Sequence, residues 1–139
     1  SVRAILAQRL LRRVCICSVE RKISEIDAKK TGIRNNTTIR YATVLSAEEK
    51  KKRLAERTLC VRCNGIGYKG RVGTYELLLI NRRIQDAVSS NKTEREIEEI
   101  AVKDSGMLTL REYGIELILE KMTTVHELER VCMSQDDIL

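Results

Sequence analysis

The 139-residue sequence lacks proline, phenylalanine and tryptophan, and it contains a single histidine. The core must therefore be built from isoleucine, leucine and valine with four tyrosines, and these still supply enough aliphatic surface for a domain of this length. So few aromatic side chains argue against a surface on which nucleic acid bases stack. Nothing resembles a secretion signal, and no apolar run approaches the roughly 20 residues of a membrane span. We therefore expect a cytosolic chain with no direct membrane insertion.

Catalytic motifs are also missing. The histidine, His126, has no second histidine or carboxylate pair positioned with it, so an exposed helical side chain is expected. There is no Ser-His-Asp arrangement and no zinc-protease helix motif. The glycine-rich stretch lacks the Gly-x-x-x-x-Gly-Lys-Ser/Thr spacing of a phosphate-binding P-loop. We predict no catalytic residue in this chain, and no residue is assigned to cofactor binding.

Charge is distributed unevenly along the chain. Residues 1–91 carry 20 lysines and arginines against 8 acidic residues, whereas residues 92–139 carry 6 against 12. The basic part could attract nucleotide or nucleic acid, or it could meet the acidic part of another subunit. Solvated charges on helix surfaces explain the same asymmetry equally well.

The most constrained stretch is Cys60–Glu76. It begins with Cys60-Val-Arg-Cys63, a spacing that lets both sulfurs face one metal ion, and it continues with four glycines. Cys15 and Cys17 form a second close pair, and tetrahedral zinc needs four such donors. We therefore predict a metal site at Cys15, Cys17, Cys60 and Cys63, with zinc as the candidate ion. Zinc on three cysteines with another ligand, or no metal and four small buried side chains, remain alternatives.

Hydrophobic periodicity and capping signals predict an α+β chain: a small cysteine-bearing module containing β-structure, flanked by an N-terminal helix and a C-terminal helical cluster. The N-terminal helix is predicted over Val2–Val14, and the tail from Ser134 is expected to fray. Further predicted elements are a strand over Thr37–Val44, a helix from Ser46 to about Arg57, a strand over Val72–Ile80, a short helix capped by Asn81, and helices opened by the capping boxes Thr93/Glu96, Thr109/Glu112 and Thr124/Glu127.

Four ordered blocks identify a resemblance that covers nearly the whole chain. They are residues 7–15 (AQRLLRRVC), 60–78 (CVRCNGIGYKGRVGTYELL), 106–114 (GMLTLREYG) and 123–131 (TTVHELERV). Together they resemble the C-terminal part of the secretion traffic ATPases, the motors of type II secretion and type IV pilus assembly.

The resemblance implies a division of the chain into three parts. Residues 1–14 would be a helix that closes the ATPase core, 15–75 a cysteine module of the zinc type, and 76–139 a C-terminal strand and helical subdomain. The family's P-loop lies upstream of Ser1, so we expect a motor fragment that uses no ATP or magnesium by itself, although its parent protein would. The expected partners are other subunits of a homo-hexamer and an inner-membrane platform protein. The expected location is the cytoplasm, peripheral to the inner membrane.

One departure from the family pattern concerns the first cysteine pair. Family members with the zinc site usually show Cys-Pro-x-Cys, whereas this chain has Cys15-Ile-Cys17 with Ser18 at the expected second position. Two other kinds of protein stay open at this stage. Cys-x-x-Cys-x-Gly-x-Gly also occurs in the zinc repeats of Hsp40-type chaperones, although as several copies, and the basic charge would suit a zinc module that binds nucleic acid.

Overall fold

The structure, a computed structural model, describes residues 2–132, so the predicted fraying of the tail from Ser134 lies outside the described residues. The α+β class is confirmed, and no helix within 2–132 has the length and apolarity of a bilayer-spanning helix. The elements are β1 (Ala4–Val14), β2 (Val19–Lys22), α1 (Glu25–Thr31), β3 (Thr38–Tyr41), α2 (Ala47–Glu56), β4 (Tyr68–Leu79), α3 (Arg82–Ser89), α4 (Glu94–Ser105), α5 (Leu110–Leu119) and α6 (Val125–Val131).

The prediction of an N-terminal helix is wrong, because Ala4–Val14 forms the long strand β1. It pairs antiparallel with β4, from Ala4 opposite Leu79 to Val14 opposite Tyr68, with an irregularity between Arg12 and Val14. Aliphatic residues spaced three and four apart fit a helix, but the same run also places apolar side chains on both faces of a strand. Pairing with β4, more than 50 residues away in the chain, decides in favour of the strand. Residues 1–14 were expected to close the ATPase core as a helix, but the structure has a strand there.

A second two-stranded antiparallel sheet joins β2 to β3, with Val19 opposite Tyr41 and Lys22 opposite Thr38. Helix α1 lies between these strands in the chain and was not predicted. The Ser24 hydroxyl accepts a hydrogen bond from the Asp27 amide at its start, and Gly32, with φ of 79°, ends it in the left-handed region. The predicted strand over 37–44 is confirmed in its first half by β3, which ends at Tyr41.

The predicted helix starts are confirmed as caps. Ser46 and Thr93 form complete capping boxes with the glutamates three residues later, and the Asn81 side chain accepts from the Ile84 amide. Thr109 and Thr124 also cap their helices through the side-chain hydroxyl. At Thr124, however, the glutamate of the predicted box, Glu127, directs its carboxylate elsewhere.

The main hydrophobic core joins parts of the chain that the sequence analysis assigned to different divisions. It contains Leu11 of β1, residues from α1 and β3, and residues from α5 and α6. Its buried members are Leu11, Ile23, Ala28, Ile33, Ile39, Leu117, Ile118, Val125 and Leu128. A smaller core lies between α3 and α4, around Ile84, Ala101 and Met107. The three proposed divisions stay a prediction, but the cysteine module and the last two helices share one core.

A buried carboxylate ties β1 to α6. Glu127 is fully buried, and its carboxylate accepts hydrogen bonds from the Arg12 amide at 3.1 Å and from Arg12 Nε at 2.7 Å. Arg130, one turn further along α6, also donates to it. Arg12 in addition stacks 4.2 Å from the centre of the Tyr68 ring, so the network reaches β4. Burial opposes ionisation of this carboxylate, but the hydrogen bonds from Arg130 and Arg12 outweigh it and hold the pKa of Glu127 below its usual value.

We expect Glu127→Gln to lower the free energy of unfolding by about 1–3 kcal/mol at neutral pH, because charge-assisted hydrogen bonds to buried groups are lost. A group whose pKa is lowered by folding stabilises the fold above its unfolded pKa and loses that effect as the pH falls through the folded pKa. The difference between the wild type and the variant should therefore shrink below pH 4.5, the ordinary value for this carboxyl. Urea unfolding across this range measures it.

Glu129→Gln is the matched control on the same helix, since Glu129 pairs with Lys30 at the surface. It should cost about 1 kcal/mol or less. Equal effects of the two substitutions at neutral pH would contradict the assigned role of Glu127.

Candidate metal centre

The four cysteines of the two predicted pairs lie together. Cys15 follows β1 directly, Cys17 lies in the turn after it, and Cys60 and Cys63 lie in the turn that follows α2. The Cys15 and Cys60 sulfurs are 3.7 Å apart, the Cys17 and Cys63 sulfurs are 3.6 Å apart, and all four lie within 4.8 Å of one another. Cys15 and Cys63 are buried, and the other two are partly buried. The expected approach of the two distant cysteine turns is confirmed.

The backbone around the cluster explains how the two turns meet. The Cys15 amide donates to the Gly67 carbonyl at 3.0 Å, one step beyond the pairing of Val14 with Tyr68. The Thr43 hydroxyl donates to the Cys17 carbonyl, so the segment after β3 holds the first turn from its other side. A backbone hydrogen bond closes each cysteine turn. The Ser18 amide donates to the Cys15 carbonyl, and the Ile66 amide donates to the Cys63 carbonyl.

Gly67 is where the backbone requires a glycine. Its φ is 91°, and a Cβ atom there would lie 3.1 Å from the Thr43 carbonyl oxygen and 3.0 Å from Val44 Cγ2. The glycine thus permits both the left-handed conformation and the close approach of the segment after β3. Gly65, with φ of 86°, also uses the left-handed region, and its carbonyl accepts from the Leu45 amide. The glycines that follow Cys63 in the sequence therefore close the cluster.

Two thiols of the cluster have pKa values that are shifted in opposite directions. Backbone amides of Cys63 and Arg62 hydrogen-bond to the Cys60 sulfur and lower the pKa of Cys60 to about 6. Burial raises the pKa of Cys17, and its hydrogen bonds to Cys63, Cys15 and Cys60 raise it further. One sulfur is thus stabilised as a thiolate, whereas charge on a neighbouring sulfur is opposed.

The donor set fits a tetrahedral thiolate metal site. With a zinc–sulfur distance of about 2.3 Å, neighbouring sulfurs in a regular tetrahedron are about 3.8 Å apart. The Cys15–Cys60 and Cys17–Cys63 sulfur distances, 3.7 and 3.6 Å, approach this value, and they are far longer than the roughly 2.05 Å of a disulfide bond. The Cys15-Ile-Cys17 spacing therefore brings both sulfurs to the cluster despite its departure from Cys-Pro-x-Cys. Within the described residues, this is the only group of three or more histidine, cysteine or acidic side chains placed to hold a metal.

Three other candidate features of the sequence lie outside the cluster. His126 is exposed in the first turn of α6, as expected, and Cys132 packs beside the main core. The run Lys50–Arg53 is a solvated face of α2, a helix without buried residues. Two supporting residues were not predicted, Thr43 as the hydroxyl that holds the first cysteine turn and Glu127 as a buried ion. The one available signal for Glu127 was its predicted capping-box position three residues before Arg130.

Comparison with known proteins places this α+β chain and its cysteine cluster in a family. The family model described as type II/IV secretion system protein matches residues 1–130. The chain belongs to that family. It is 40% identical over 124 residues to the type IV pilus assembly ATPase PilB of Thermus thermophilus, a match that covers 88% of this chain and 13% of that protein.

Two further relatives extend the comparison. Identity is 30% over 132 residues to the type II secretion system protein E of Dickeya dadantii, with 94% of this chain and 23% of that protein covered. It is 31% over 128 residues to the type IV pilus assembly ATPase TfpB of Acinetobacter baylyi, with 91% and 20% covered. The chain therefore spans less than a quarter of the length of each of these relatives. The expected family is confirmed, and the Hsp40-like and nucleic-acid-binding alternatives are not favoured.

We expect Gly67→Ala to open the cysteine cluster, and Gly70→Ala, three residues further along in β4, is the matched control. Both glycines have a positive φ, 91° and 82°, but a Cβ at Gly70 would meet nothing within 4 Å. Gly70→Ala should cost about 1–2 kcal/mol of stability for the left-handed backbone alone. Gly67→Ala should cost about 1–3 kcal/mol more because of the contacts with Thr43 and Val44.

Urea unfolding measures the stability difference, and thiol labelling under native conditions reports the cluster. The buried Cys15 thiol should react faster in Gly67→Ala than in Gly70→Ala. Indistinguishable stabilities and labelling rates would show that the approach at Gly67 does not hold the cluster together.

Proposed function

We propose that this chain is the C-terminal part of a hexameric ATPase that powers type II secretion or type IV pilus assembly. It acts as a structural, force-transmitting part of that motor and does not hydrolyse ATP by itself. The observation that carries the proposal is the family match over 1–130 together with the clustering of Cys15, Cys17, Cys60 and Cys63. Residues 1–139 contain no P-loop, so ATP and magnesium would bind elsewhere in the parent protein.

The fold supports transmission of movement. Strand β1 runs for 11 residues and leads directly into Cys15, while its buried Leu11 lies in the core shared with α5 and α6. Glu127 fixes the same strand to α6 through Arg12. A displacement of β1 would therefore carry both the cysteine module and the last helices with it, because well-packed cores transmit strain rather than absorb it.

Zinc is the ion that we assign to the cluster, with Cys15, Cys17, Cys60 and Cys63 as its four ligands. Four thiolate ligands leave no open coordination position, which is typical of a structural site. When bound, the ion would offset thiolate charge and crosslink the two cysteine turns. The residues themselves hold those turns in place through the Cys15–Gly67 and Thr43–Cys17 hydrogen bonds.

The cysteine module also offers a surface for a protein partner, which we assign to the inner-membrane platform protein of the secretion or pilus system. Ile16, Val44, Val61 and Ile66 border the cluster, and each has more than half of its surface exposed. Residues 46–71 carry eight basic side chains against three acidic ones. Among residues 2–132 none of these eight forms a salt bridge. A basic and aliphatic surface of this kind suits an acidic segment with apolar side chains.

Arg12 and Arg13 belong to the basic part of the chain, which could meet the acidic part of another subunit of the hexamer. Arg12 is paired with Glu127 of the same chain, so reversing its charge would disturb this fold before any subunit contact. Arg13 is exposed on β1 and is the residue through which the basic part of one subunit could meet an acidic part of the next. The contact with the inner-membrane platform protein would hold the assembled hexamer at the cytoplasmic face of that membrane.

The metal assignment predicts one zinc ion per chain after purification without a chelator. Serine at Cys15, Cys60 or Cys63 should reduce the bound zinc to well below one ion per chain, because serine is a poor zinc ligand. Cys132→Ser is the control and should keep the full amount, since Cys132 lies outside the cluster. Elemental analysis of folded protein measures the ratio. A ratio near zero zinc ions per chain in folded wild type would contradict the metal assignment but not the description of the fold.

The motor assignment predicts that the full-length protein hydrolyses ATP with magnesium and that residues 1–139 alone do not. The parent sequence before Ser1 should contain a P-loop, and replacing its lysine should abolish hydrolysis. Phosphate release from the purified full-length protein measures the activity. A full-length protein with no P-loop and no hydrolysis would contradict the proposed function.

A further inference from the structure

The four cysteines of the metal centre also form two sulfur pairs that each join one cysteine turn to the other. The sulfur of Cys15 lies 3.7 Å from that of Cys60, and the sulfur of Cys17 lies 3.6 Å from that of Cys63. We call these the cross-turn pairs. Their members are 45 and 46 residues apart in the chain. A disulfide bond at either pair would therefore crosslink the same two turns that bind the ion in the proposed metal site.

Each cross-turn pair combines an accessible cysteine with a buried one. Cys60 and Cys17 are partly buried, whereas their partners Cys15 and Cys63 are only 2% and 3% exposed. An oxidant dissolved in water would therefore reach Cys60 and Cys17 first. Cysteines that sense oxidants are typically accessible thiolates with a second, resolving cysteine close by. Both cross-turn pairs have this arrangement.

The backbone holds the two turns together independently of the sulfurs. The Cys15 amide donates a hydrogen bond to the Gly67 carbonyl. The Thr43 hydroxyl donates to the Cys17 carbonyl on the other side of the first turn. A sulfur that is oxidised in one turn would therefore stay next to its partner in the other turn. Such proximity favours a disulfide bond over further oxidation of a single sulfur.

We propose that Cys15 with Cys60 and Cys17 with Cys63 are redox pairs, which a hydroperoxide oxidises to two disulfide bonds. The inference goes beyond the proposed function, because it assigns a second, oxidised state to the four zinc ligands. It does not depend on ATP hydrolysis. Disulfides of cytosolic proteins are usually transient or redox-sensing. In the cytoplasm, the location that the proposed function implies, the oxidised state would be a reversible response to oxidants.

The oxidation of one pair by hydrogen peroxide takes two steps. The Cys60 thiolate attacks a peroxide oxygen, so that an S–O bond forms, the O–O bond breaks and hydroxide leaves. The Cys15 thiolate then attacks the Cys60 sulfur, so that the S–S bond forms, the S–O bond breaks and a second hydroxide leaves. Two thiolates, one hydrogen peroxide and two protons thus give one disulfide and two waters. The two sulfurs lose two electrons, and the peroxide oxygens gain them.

The same chemistry at Cys17 and Cys63 removes the other two thiolates of the site. Because the thiolate is the form of cysteine that binds metals, conversion to disulfides would release zinc as the divalent ion, with its oxidation state unchanged. The sulfurs of each pair would move to the roughly 2 Å of a disulfide bond. The two turns would therefore stay crosslinked after the ion has left.

The test treats the purified full-length protein with hydrogen peroxide, blocks the remaining thiols by alkylation and digests the protein with trypsin. Trypsin leaves Cys15 and Cys17 together in residues 14–21, but cleavage after Arg62 separates Cys60 in 58–62 from Cys63 in 63–69. Mass spectrometry without reduction should find the three peptides joined in one species. The loss of about one zinc ion per chain should accompany the two disulfides, and a dithiol reductant should restore the four thiols.

Two single substitutions identify the partners. Cys17→Ser leaves one cysteine in 14–21, which should link to 58–62 through Cys60. Cys15→Ser also leaves one cysteine there, which should link to 63–69 through Cys63. Cys132→Ser is the control and should oxidise like the wild type, because Cys132 lies outside the cluster.

Several results would overturn the inference. They are four free thiols in the treated wild type, sulfinic acids in place of disulfides, a Cys60–Cys63 disulfide, and a link to the same peptide in both variants. The first three are read from the wild type alone, so the test does not depend on whether the variants fold.

The outcome is separate from that of the proposed function. Zinc-free wild type that forms the two cross-turn disulfides would contradict the metal assignment and support the redox pairs. A full-length protein that binds zinc and hydrolyses ATP but forms no cross-turn disulfide would support the proposed function and overturn this inference.

Discussion

The antiparallel pairing of β1 with β4 is the constraint on which the rest of the structure depends. It places Val14 opposite Tyr68, and the Cys15 amide then reaches the Gly67 carbonyl. Because a shift of one residue would reverse every side chain of β1, the same register decides that Leu11 enters the main core and that Cys15 faces Cys60. The cluster is thus a consequence of strand pairing, and the local cysteine turns need only complete it.

Glu127 secures this register at one point. A buried charge is costly unless it is paired and hydrogen-bonded, and Glu127 receives donors from the Arg12 amide, the Arg12 side chain and Arg130. The Arg12 amide lies at the irregularity of β1, where the strand needs a partner other than β4. The carboxylate supplies that partner, so the charge is placed where the ladder of backbone hydrogen bonds is interrupted.

Local signals predicted much of the helical part, because they are contained in a few neighbouring residues. Ser46, Asn81, Thr93, Thr109 and Thr124 all cap helices as their side chains suggest. The strand β1 was predicted as a helix, since its aliphatic spacing satisfies both periods and its partner lies far away in the chain. The role of Glu127 as a buried ion could not be predicted from neighbouring residues either. The sequence assigns its side chain to a capping box with Thr124, whereas in the fold its carboxylate accepts hydrogen bonds from Arg12 and Arg130.

The cysteine site shows how the fold determines what a spacing means. One intervening residue between Cys15 and Cys17 suggests a poor pair of ligands if the two must act as an isolated knuckle. In the structure the pair does not act alone, because the contacts of Cys15 with Cys60 and of Cys17 with Cys63 join the two turns. The position of the first turn is set by the end of β1 on one side and by the Thr43 hydroxyl on the other. The spacing within the first pair therefore matters less than the distance between the turns, and that distance depends on the absence of a side chain at Gly67.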